Sequence, residues 1–276
     1  MIDVLIFSKD RACQLDLLLT SIEDNFKEIN NVKIVCKGSD DNFIKGYMKL
    51  FEKYPEHSWF PETTLIEDIK NIVNHFEEEF AMTLVDDEIV IRDHSIKPLV
   101  DVLKSYENIH CASIRLGTNI GNYCYTADLY CDIPEFDVMR LGEDSVYKWD
   151  WTKGDGRVDW YYPSCINSHI YRTSFLKHWM NQIRRGNVND TEGMLNSNRG
   201  EFKHHMICMK KSKTINIANN LTQTGYNRHS SKKEFSLKKL NKLFLDGDVI
   251  DKTKFYGIEN DQATYEKDYV LTKGLE

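Results

Sequence analysis

Proline and glycine are scarce in this chain, five and fourteen among 276 residues, which excludes collagen-like and low-complexity classes. Long hydrophobic runs are missing, and nothing approaches the roughly 18 apolar residues of a membrane span. The opening Met1 to Phe7 has no basic region and carries an acid at position 3, so it does not read as a signal peptide. A basic excess is also absent: 36 Lys and Arg face 43 Asp and Glu, and the net charge of −7 argues against a nucleic-acid partner. The seven cysteines (13, 36, 111, 124, 131, 165, 208) form no CxxC pair and are odd in number. They read as buried thiols rather than disulfides or metal ligands. His204-His205 lacks an HExxH context, which argues against zinc. Neither GxGxxG nor GxxxxGK[ST] occurs, so dinucleotide and P-loop enzymes are disfavoured. These absences predict a cytoplasmic protein, at most peripheral to a membrane.

What is present is the balance of a soluble globular chain, 41% hydrophobic and 29% charged. Aromatics at 12% suit a large core and sites that stack flat ligands. Through residue 116 strand and helix patterns alternate. Asp3 to Phe7, Val32 to Cys36, Phe80 to Val85 and Ile109 to Ile114 read as strands. Helical spacing joins Leu15, Leu18, Leu19, Ile22 and Phe26; then Phe43, Tyr47, Met48 and Phe51; then Leu65, Ile69, Ile72, Val73 and Phe76; then Ile96, Leu99, Val100 and Leu103. Such alternation predicts βαβ units and a mostly parallel sheet with helices on both faces. From Thr118 to about Tyr161 periodicity fails, around a turn at Gly154-Asp155-Gly156, and the stretch reads as a functional insertion or lid. Order returns at Ile166 to Tyr171 and in a helix through Phe175, Leu176 and Trp179. Ser236 is placed to cap a last helix that stops at Asp246-Gly247. The economical organisation is one domain over 1–276, with halves 1–117 and 118–276.

Ligands of parallel α/β sheets sit beyond the carboxyl ends of the strands. Two polar turns lie there, Ser8-Lys9-Asp10-Arg11 and Asp86-Asp87-Glu88. Three successive acids after a buried strand repel one another. A divalent cation, Mn²⁺ or Mg²⁺, is the simplest reason for them to coexist; a solvated turn is the plainer alternative.

The stretch from Phe80 to Ile91, centred on Val85-Asp86-Asp87-Glu88, resembles the DXD-type motif of GT-A fold glycosyltransferases. Val4 to Gln14 is similar to their first strand and donor loop. Asp159-Trp160-Tyr161-Tyr162-Pro163, His169-Ile170-Tyr171-Arg172, Asn189-Asp190-Thr191-Glu192 and the tail Leu240 to Gly247 resemble pieces of bacterial family 2-like members, in the same order along nearly the whole chain. The resemblance implies the nucleotide-diphospho-sugar transferase fold, a three-layer α/β/α sandwich on a mostly parallel sheet. Residues 1–117 would bind the nucleotide-sugar and 118–276 the acceptor. It also implies a metal-dependent transfer from a nucleotide-sugar, a UDP-sugar foremost, to a glycan or lipid-linked acceptor, with inversion.

On that footing Phe7, Ser8, Asp10, Arg11, Lys37 and Asp86 are donor-binding candidates. Asp86, Asp87, Glu88 and the late His229 of Tyr226-Asn227-Arg228-His229 are the metal candidates, although Glu stands where the motif has its last Asp. An inverting transfer needs a general base, for which Glu192 comes first and Asp190 second; helix capping is the simpler role for Asp190. Trp149, Trp151 and Trp160 are candidate stacking surfaces for acceptor sugars. The basic stretch Lys203 to Lys242 would suit an anionic inner membrane face, a solvated face being the simpler reading. Two other readings stay open: a sugar-phosphate nucleotidyltransferase, and a non-catalytic sugar-binding protein on the same fold.

Overall fold

The computed structural model describes every residue except 94, 142–143, 155, 223–227, 231 and 275–276. In chain order β1 (Ile2–Lys9), α1 (Ala12–Asn25), β2 (Ile29–Lys37), α2 (Asp41–Lys53), β3 (Ser58–Pro61), α3 (Leu65–Asn74) and β4 (Phe80–Val85) alternate. A short β5 (Glu88–Val90) leads to α4 (Lys97–Ser105) and β6 (Ile109–Gly117). Then come a small hairpin of β7 (Tyr123–Cys124) and β8 (Leu129–Tyr130), β9 (Asp137–Leu141), β10 (Asp144–Asp150) and β11 (His169–Arg172). The chain continues through α5 (Thr173–Gln182), α6 (Val188–Ser197), β12 (His205–Met209), β13 (Thr214–Ile217) and α7 (Leu237–Leu245).

Nine strands form one sheet in the order β3-β2-β1-β4-β11-β6-β12-β10-β9. Strands β1 to β4, and β6 with β12, pair in parallel, whereas β11 runs antiparallel between β4 and β6, and β10 antiparallel beside β12. The sheet is thus mostly parallel, as expected.

Alternation along β1 sends Val4 and Ile6 to one face and Leu5 and Phe7 to the other. On the first face Leu15, Leu18 and Leu19 of α1, Tyr47 and Leu50 of α2, Leu99 and Leu103 of α4 and Phe244 of α7 close the core. On the second, Ile69 and Ile72 of α3 and Leu176 and Trp179 of α5 do the same. Each such side chain, removed from water, contributes roughly 1.5–3 kcal/mol. The three layers follow from the helical stripes, with one change in α2: Leu50 is buried and Met48 is 53% exposed.

Helix ends are set locally. The Asp40 side chain accepts the Asn42 and Phe43 N–H groups at the start of α2. Helix α7 starts after Ser236, which makes no side-chain cap bond, and gives way at Gly247, whose φ of 92° suits glycine.

Residues 118–161 are more regular than their lost periodicity predicts. They supply the β7–β8 hairpin and the antiparallel pair β9–β10, and β10 extends the sheet at β12. Gly154 and Gly156 fall in this region, with Asp155 outside the described residues. Six of the seven cysteines are buried and Cys131 is half-buried. In the basic stretch Lys203, Lys210, Lys211, Lys232, Lys233, Lys238, Lys239 and Lys242 are exposed while Lys213 is buried. Among the described residues no helix is long and apolar enough to cross a membrane.

Candidate active site

Strands β1 and β4 lie side by side, and their carboxyl ends open on one cleft of about 470 Å³, a size that suits a small-molecule ligand. Phe7, Ser8, Lys9 and Arg11 line it from the first strand, and Val85, Asp86 and Asp87 from the second. Lys37 and Glu62 lie on the side of β2 and β3. Asn187, Val188, Asn189 and Glu192 come from the start of α6, and Asn216, Ala218 and Asn220 from the segment around β13.

Asp86 is buried, and both of its oxygens accept hydrogen bonds. Oδ2 accepts the Ser8 hydroxyl and the Lys9 N–H, both at 2.9 Å, while Oδ1 accepts Arg11 Nη1 at 2.8 Å. Burial pushes its carboxyl up to about 6, helped by neighbouring Asp87 and opposed by Arg11. Asp87 sits at the cleft surface with Oδ2 at 2.7 Å from the same Arg11 Nη1 and Oδ1 accepting Asn216 Nδ2 at 2.6 Å. Burial works against the Arg11 charge, but Asp87 and Asp86 together hold the guanidinium firmly protonated. Its remaining contacts go to Asn220, Nε to Oδ1 at 2.8 Å and Nη2 to the carbonyl oxygen. Ser8 Oγ also shares a hydrogen bond of 2.7 Å with the Tyr47 hydroxyl.

Glu192 enters the cleft from α6, just past its first turn. Its Oε1 accepts the Ile166 N–H at 2.9 Å. Burial raises its carboxyl, against hydrogen bonds from Ile166 and Cys165 and the field of Arg115. Gly186 turns the chain into α6 with φ of 119°, and a Cβ there would meet Asp190 Cβ at 2.6 Å, so this corner requires glycine.

Several expected site residues lie elsewhere. Glu88 is fully buried in β5: Oε1 accepts the Ser168 hydroxyl at 2.6 Å and Oε2 the Val85 N–H at 2.9 Å. Burial raises it to about 8, and with both oxygens turned to Ser168 and the Val85 N–H it does not line the cleft. Asp10, at φ of 58°, turns its carboxylate to the Ser39 N–H at 2.6 Å and does not line the cleft. His229 is exposed and does not line the cleft; Tyr226 and Asn227 of its motif lie outside the described residues.

Asp190 is a capping residue. Its Oδ2 accepts the Asn187 N–H at 2.9 Å while Asn187 Oδ1 accepts the Asp190 N–H at 3.0 Å, a reciprocal box at the start of α6. Trp149, Trp151 and Trp160 are all buried. Trp149 and Trp160 meet edge to face with centroids 5.2 Å apart. Their indole N–H groups donate to the carbonyls of Trp160 and Gly121, and that of Trp151 to Lys203. All three are core, so none offers a face to an acceptor sugar. Lys37 does line the cleft, but its ammonium lies 2.5 Å from Glu62 Oε1.

The expected divalent cation is not matched by these donors. Each of the four oxygens of Asp86 and Asp87 already accepts a protein hydrogen bond, and the position between the two carboxylates is taken by Arg11 Nη1. Among the described residues the one cluster of three potential metal ligands is Glu23, Glu56 and His57, none of which lines the cleft.

Four site residues escaped the sequence reading. Asn216 and Asn220 buttress the acidic pair, and their asparagines carry no charge signal. Tyr47 was assigned to the core. Arg115, near the end of β6, pairs with Asp159 at 2.6 Å and acts on the site through its field at Glu192; the carboxyl-end rule applied to β6 finds it.

Fold and site together define an α/β protein with a polar, ligand-sized cleft at the carboxyl ends of its strands. No family model matches the chain. A curated relative, the bifunctional glycosyltransferase pgtA of Dictyostelium discoideum, is 26% identical over 222 residues, which is 76% of this chain and 29% of that protein. The resemblance to glycosyltransferases read from the motifs is therefore met by a curated glycosyltransferase, of which this chain spans a minor part. Among solved structures, S. aureus TarS 1–349 in complex with UDP aligns over 78% of this chain and 60% of that one, at 13% identity and a TM-score of 0.46. The 4-diphosphocytidyl-2C-methyl-D-erythritol synthase of Anaerococcus prevotii aligns over 88% and 96%, at 11% identity and a TM-score of 0.43.

Proposed function

We propose that the chain is a glycosyltransferase whose cleft binds a nucleoside diphosphate sugar, a UDP-sugar foremost. The sugar passes to a hydroxyl of a glycan or lipid-linked acceptor with inversion. The observation that carries the reading is the convergence, in one cleft at the ends of β1 and β4, of the Arg11–Asp86–Asp87 cluster with Glu192 of α6. The sequence similarity to a glycosyltransferase supports it.

Phe7, Ser8, Lys37 and Asp86, which all line the cleft, are assigned to the nucleoside. Glu192 serves as the general base. The acceptor oxygen bonds to the anomeric carbon as the bond from that carbon to the diphosphate oxygen breaks. The hydroxyl proton goes to Glu192, and the nucleoside diphosphate leaves with the electron pair. The sugar develops oxocarbenium character on the way, and a carboxylate raised by burial is a stronger base for the proton than one in water.

The test is calorimetric titration with UDP, GDP and dTDP, followed by transfer assays with a panel of nucleotide sugars. Glu192→Gln is expected to bind UDP within about threefold of the wild type and to lose about 10²–10⁴-fold in turnover. In the wild type, turnover should rise with pH along an acidic limb displaced above the ordinary 4.5, because the base works ionised and burial raises it. That limb should vanish in Glu192→Gln. Failure of all three nucleotides to bind overturns the reading.

A further inference from the structure

The space between Asp86 and Asp87 is already filled by a cation of the protein itself. Arg11 Nη1 lies 2.8 Å from Asp86 Oδ1 and 2.7 Å from Asp87 Oδ2, the bridging position a metal ion would need. We propose that the Arg11 guanidinium is a built-in replacement for a divalent metal, so that this site takes a nucleoside diphosphate without Mn²⁺ or Mg²⁺. The inference rests on the reading of the cleft as a nucleotide-sugar site and adds how the diphosphate charge is met.

Three features fix the arginine in this seat. Its side chain is 8% exposed. Four of its N–H donors are committed, two through Nη1 to the carboxylates, one from Nε to Asn220 Oδ1 and one from Nη2 to the Asn220 carbonyl. Asn220 is itself held, its Nδ2 donating to the Phe235 carbonyl at 2.7 Å. Withdrawing the side chain to admit a metal would take from the buried Asn220 carbonyl its Arg11 donor and leave Asn220 Oδ1 with the Gln14 amide at 3.4 Å.

The carboxylates are equally committed. Ser8 Oγ and the Lys9 N–H hold Asp86 Oδ2, and Asn216 Nδ2 holds Asp87 Oδ1. A Mg²⁺-type ion takes near-octahedral oxygens at about 2.0–2.1 Å, and between these carboxylates it would set two positive charges beside a third, the Arg11 guanidinium. The acid that could have enlarged the donor set, Glu88, faces Ser168 and the Val85 N–H instead.

A nucleoside diphosphate still needs positive charge, and the cleft supplies it from side chains. Lys9 lines the cleft, and its ammonium makes no ion pair among the described residues. Arg228 lines it as well, paired with Asp128 at 3.1 Å and stacked over the Tyr125 ring at 4.8 Å. With Arg11 cancelling one of the two aspartate charges, an approaching diphosphate meets a wall that is close to balanced.

The test measures UDP affinity of the metal-stripped protein by calorimetry in EDTA and again with Mn²⁺ in excess. It is paired with electron paramagnetic resonance titration of Mn²⁺ on protein alone. The expected result is a UDP affinity equal within about twofold in the two conditions and no Mn²⁺ bound at the acidic pair. Arg11→Gln, which leaves Asp86 and Asp87 without their cation, should gain Mn²⁺ affinity by at least about tenfold over wild type. A UDP affinity that improves with Mn²⁺ and loses that improvement in Asp87→Asn overturns the proposal; an improvement kept in Asp87→Asn arises from the Mn²⁺–UDP complex itself and leaves it standing. Should the protein bind no nucleotide, the transferase reading falls. The Mn²⁺ titration of wild type against Arg11→Gln then decides this inference alone: a site in the wild type that Asp87→Asn removes overturns it.

Discussion

Glu88 parts company with its two acidic neighbours because the chain enters β5 at this residue and turns its side chain inward. Its carboxyl is buried, accepts from Ser168 Oγ and the Val85 N–H, and is raised from 4.5 to about 8. The native state therefore keeps a proton between pH 4.5 and 8 that the unfolded state has released, and stability contributed by the neutral group is lost as pH rises through that window. Glu88→Gln keeps the shape without an ionisable proton: its amide oxygen can accept the Val85 N–H while its NH₂ donates to Ser168 Oγ, the reverse of the wild-type bond. Urea unfolding at pH 5.5 and pH 8.5 should show the wild type falling by about 1–3 kcal/mol more than the variant across that interval. Equal slopes would mean the carboxyl is not held neutral. UDP affinity should survive the substitution, since Glu88 does not line the cleft. At this scale Asp86, Asp87, Ser8 and Arg11 were legible, because polar residues after a buried strand mark the ligand end of a parallel sheet. The direction of Glu88 was not, since three consecutive acids look alike in sequence until Asn216 of β13 is seen to lie opposite Glu88. The tryptophans misled for a similar reason: an aromatic cluster without periodicity is equally a platform or a core, and only the burial of β10 against β12 distinguishes them.

At the scale of elements, α6 carries the candidate base, and its first turn is built to hold still. Gly186 makes the corner, Asn187 and Asp190 satisfy each other's N–H groups, and Glu192 then projects into the cleft two residues further on. Asp190 and Glu192, two carboxylates on one turn, thus have different tasks. Asp190→Ala removes half of the capping box and should cost about 0.5–2 kcal/mol of stability, read by thermal or chemical unfolding. Its turnover should fall by less than about tenfold, through a looser helix start, well short of the loss expected for Glu192→Gln. If Asp190→Ala were instead as inactive as Glu192→Gln while remaining folded, the base assignment would belong to Asp190. Elements with clear periodicity, such as α1, α3, α4 and β4, were readable to within a residue or two at most of their ends. The short strands were not. β3 has four residues, too few for a pattern, β11 was legible only as the end of the ordered run Ile166 to Tyr171, and β10 buries Val146 and Trp149 three residues apart, which breaks the period of two that marks a strand.

For the molecule as a whole, the order of strands ties the two halves of the chain into one body. Strand β11, from residues 169–172, lies between β4 and β6, pairing His169 with Thr83 on one side and with Ser113 on the other. Strand β13 likewise pairs with β5, so Asp87 in the first half is held by Asn216 in the second. A fragment ending at residue 117 would keep β4 and β6 but lack the strand that joins them. It would expose the edges of both, together with the apolar faces that Ile170 and Tyr171 cover in the two cores. We expect the fragment 1–117 to remain unfolded or to aggregate. The full chain should unfold in a single transition, with calorimetric and van't Hoff enthalpies in agreement and with Trp fluorescence, which reports residues 149–179 apart from Trp59, coinciding with far-ultraviolet circular dichroism. Two separated transitions, or a fragment 1–117 with native-like dispersion in its amide NMR spectrum, would mean that the nucleotide half stands by itself and that the strand inserted between β4 and β6 only docks onto it.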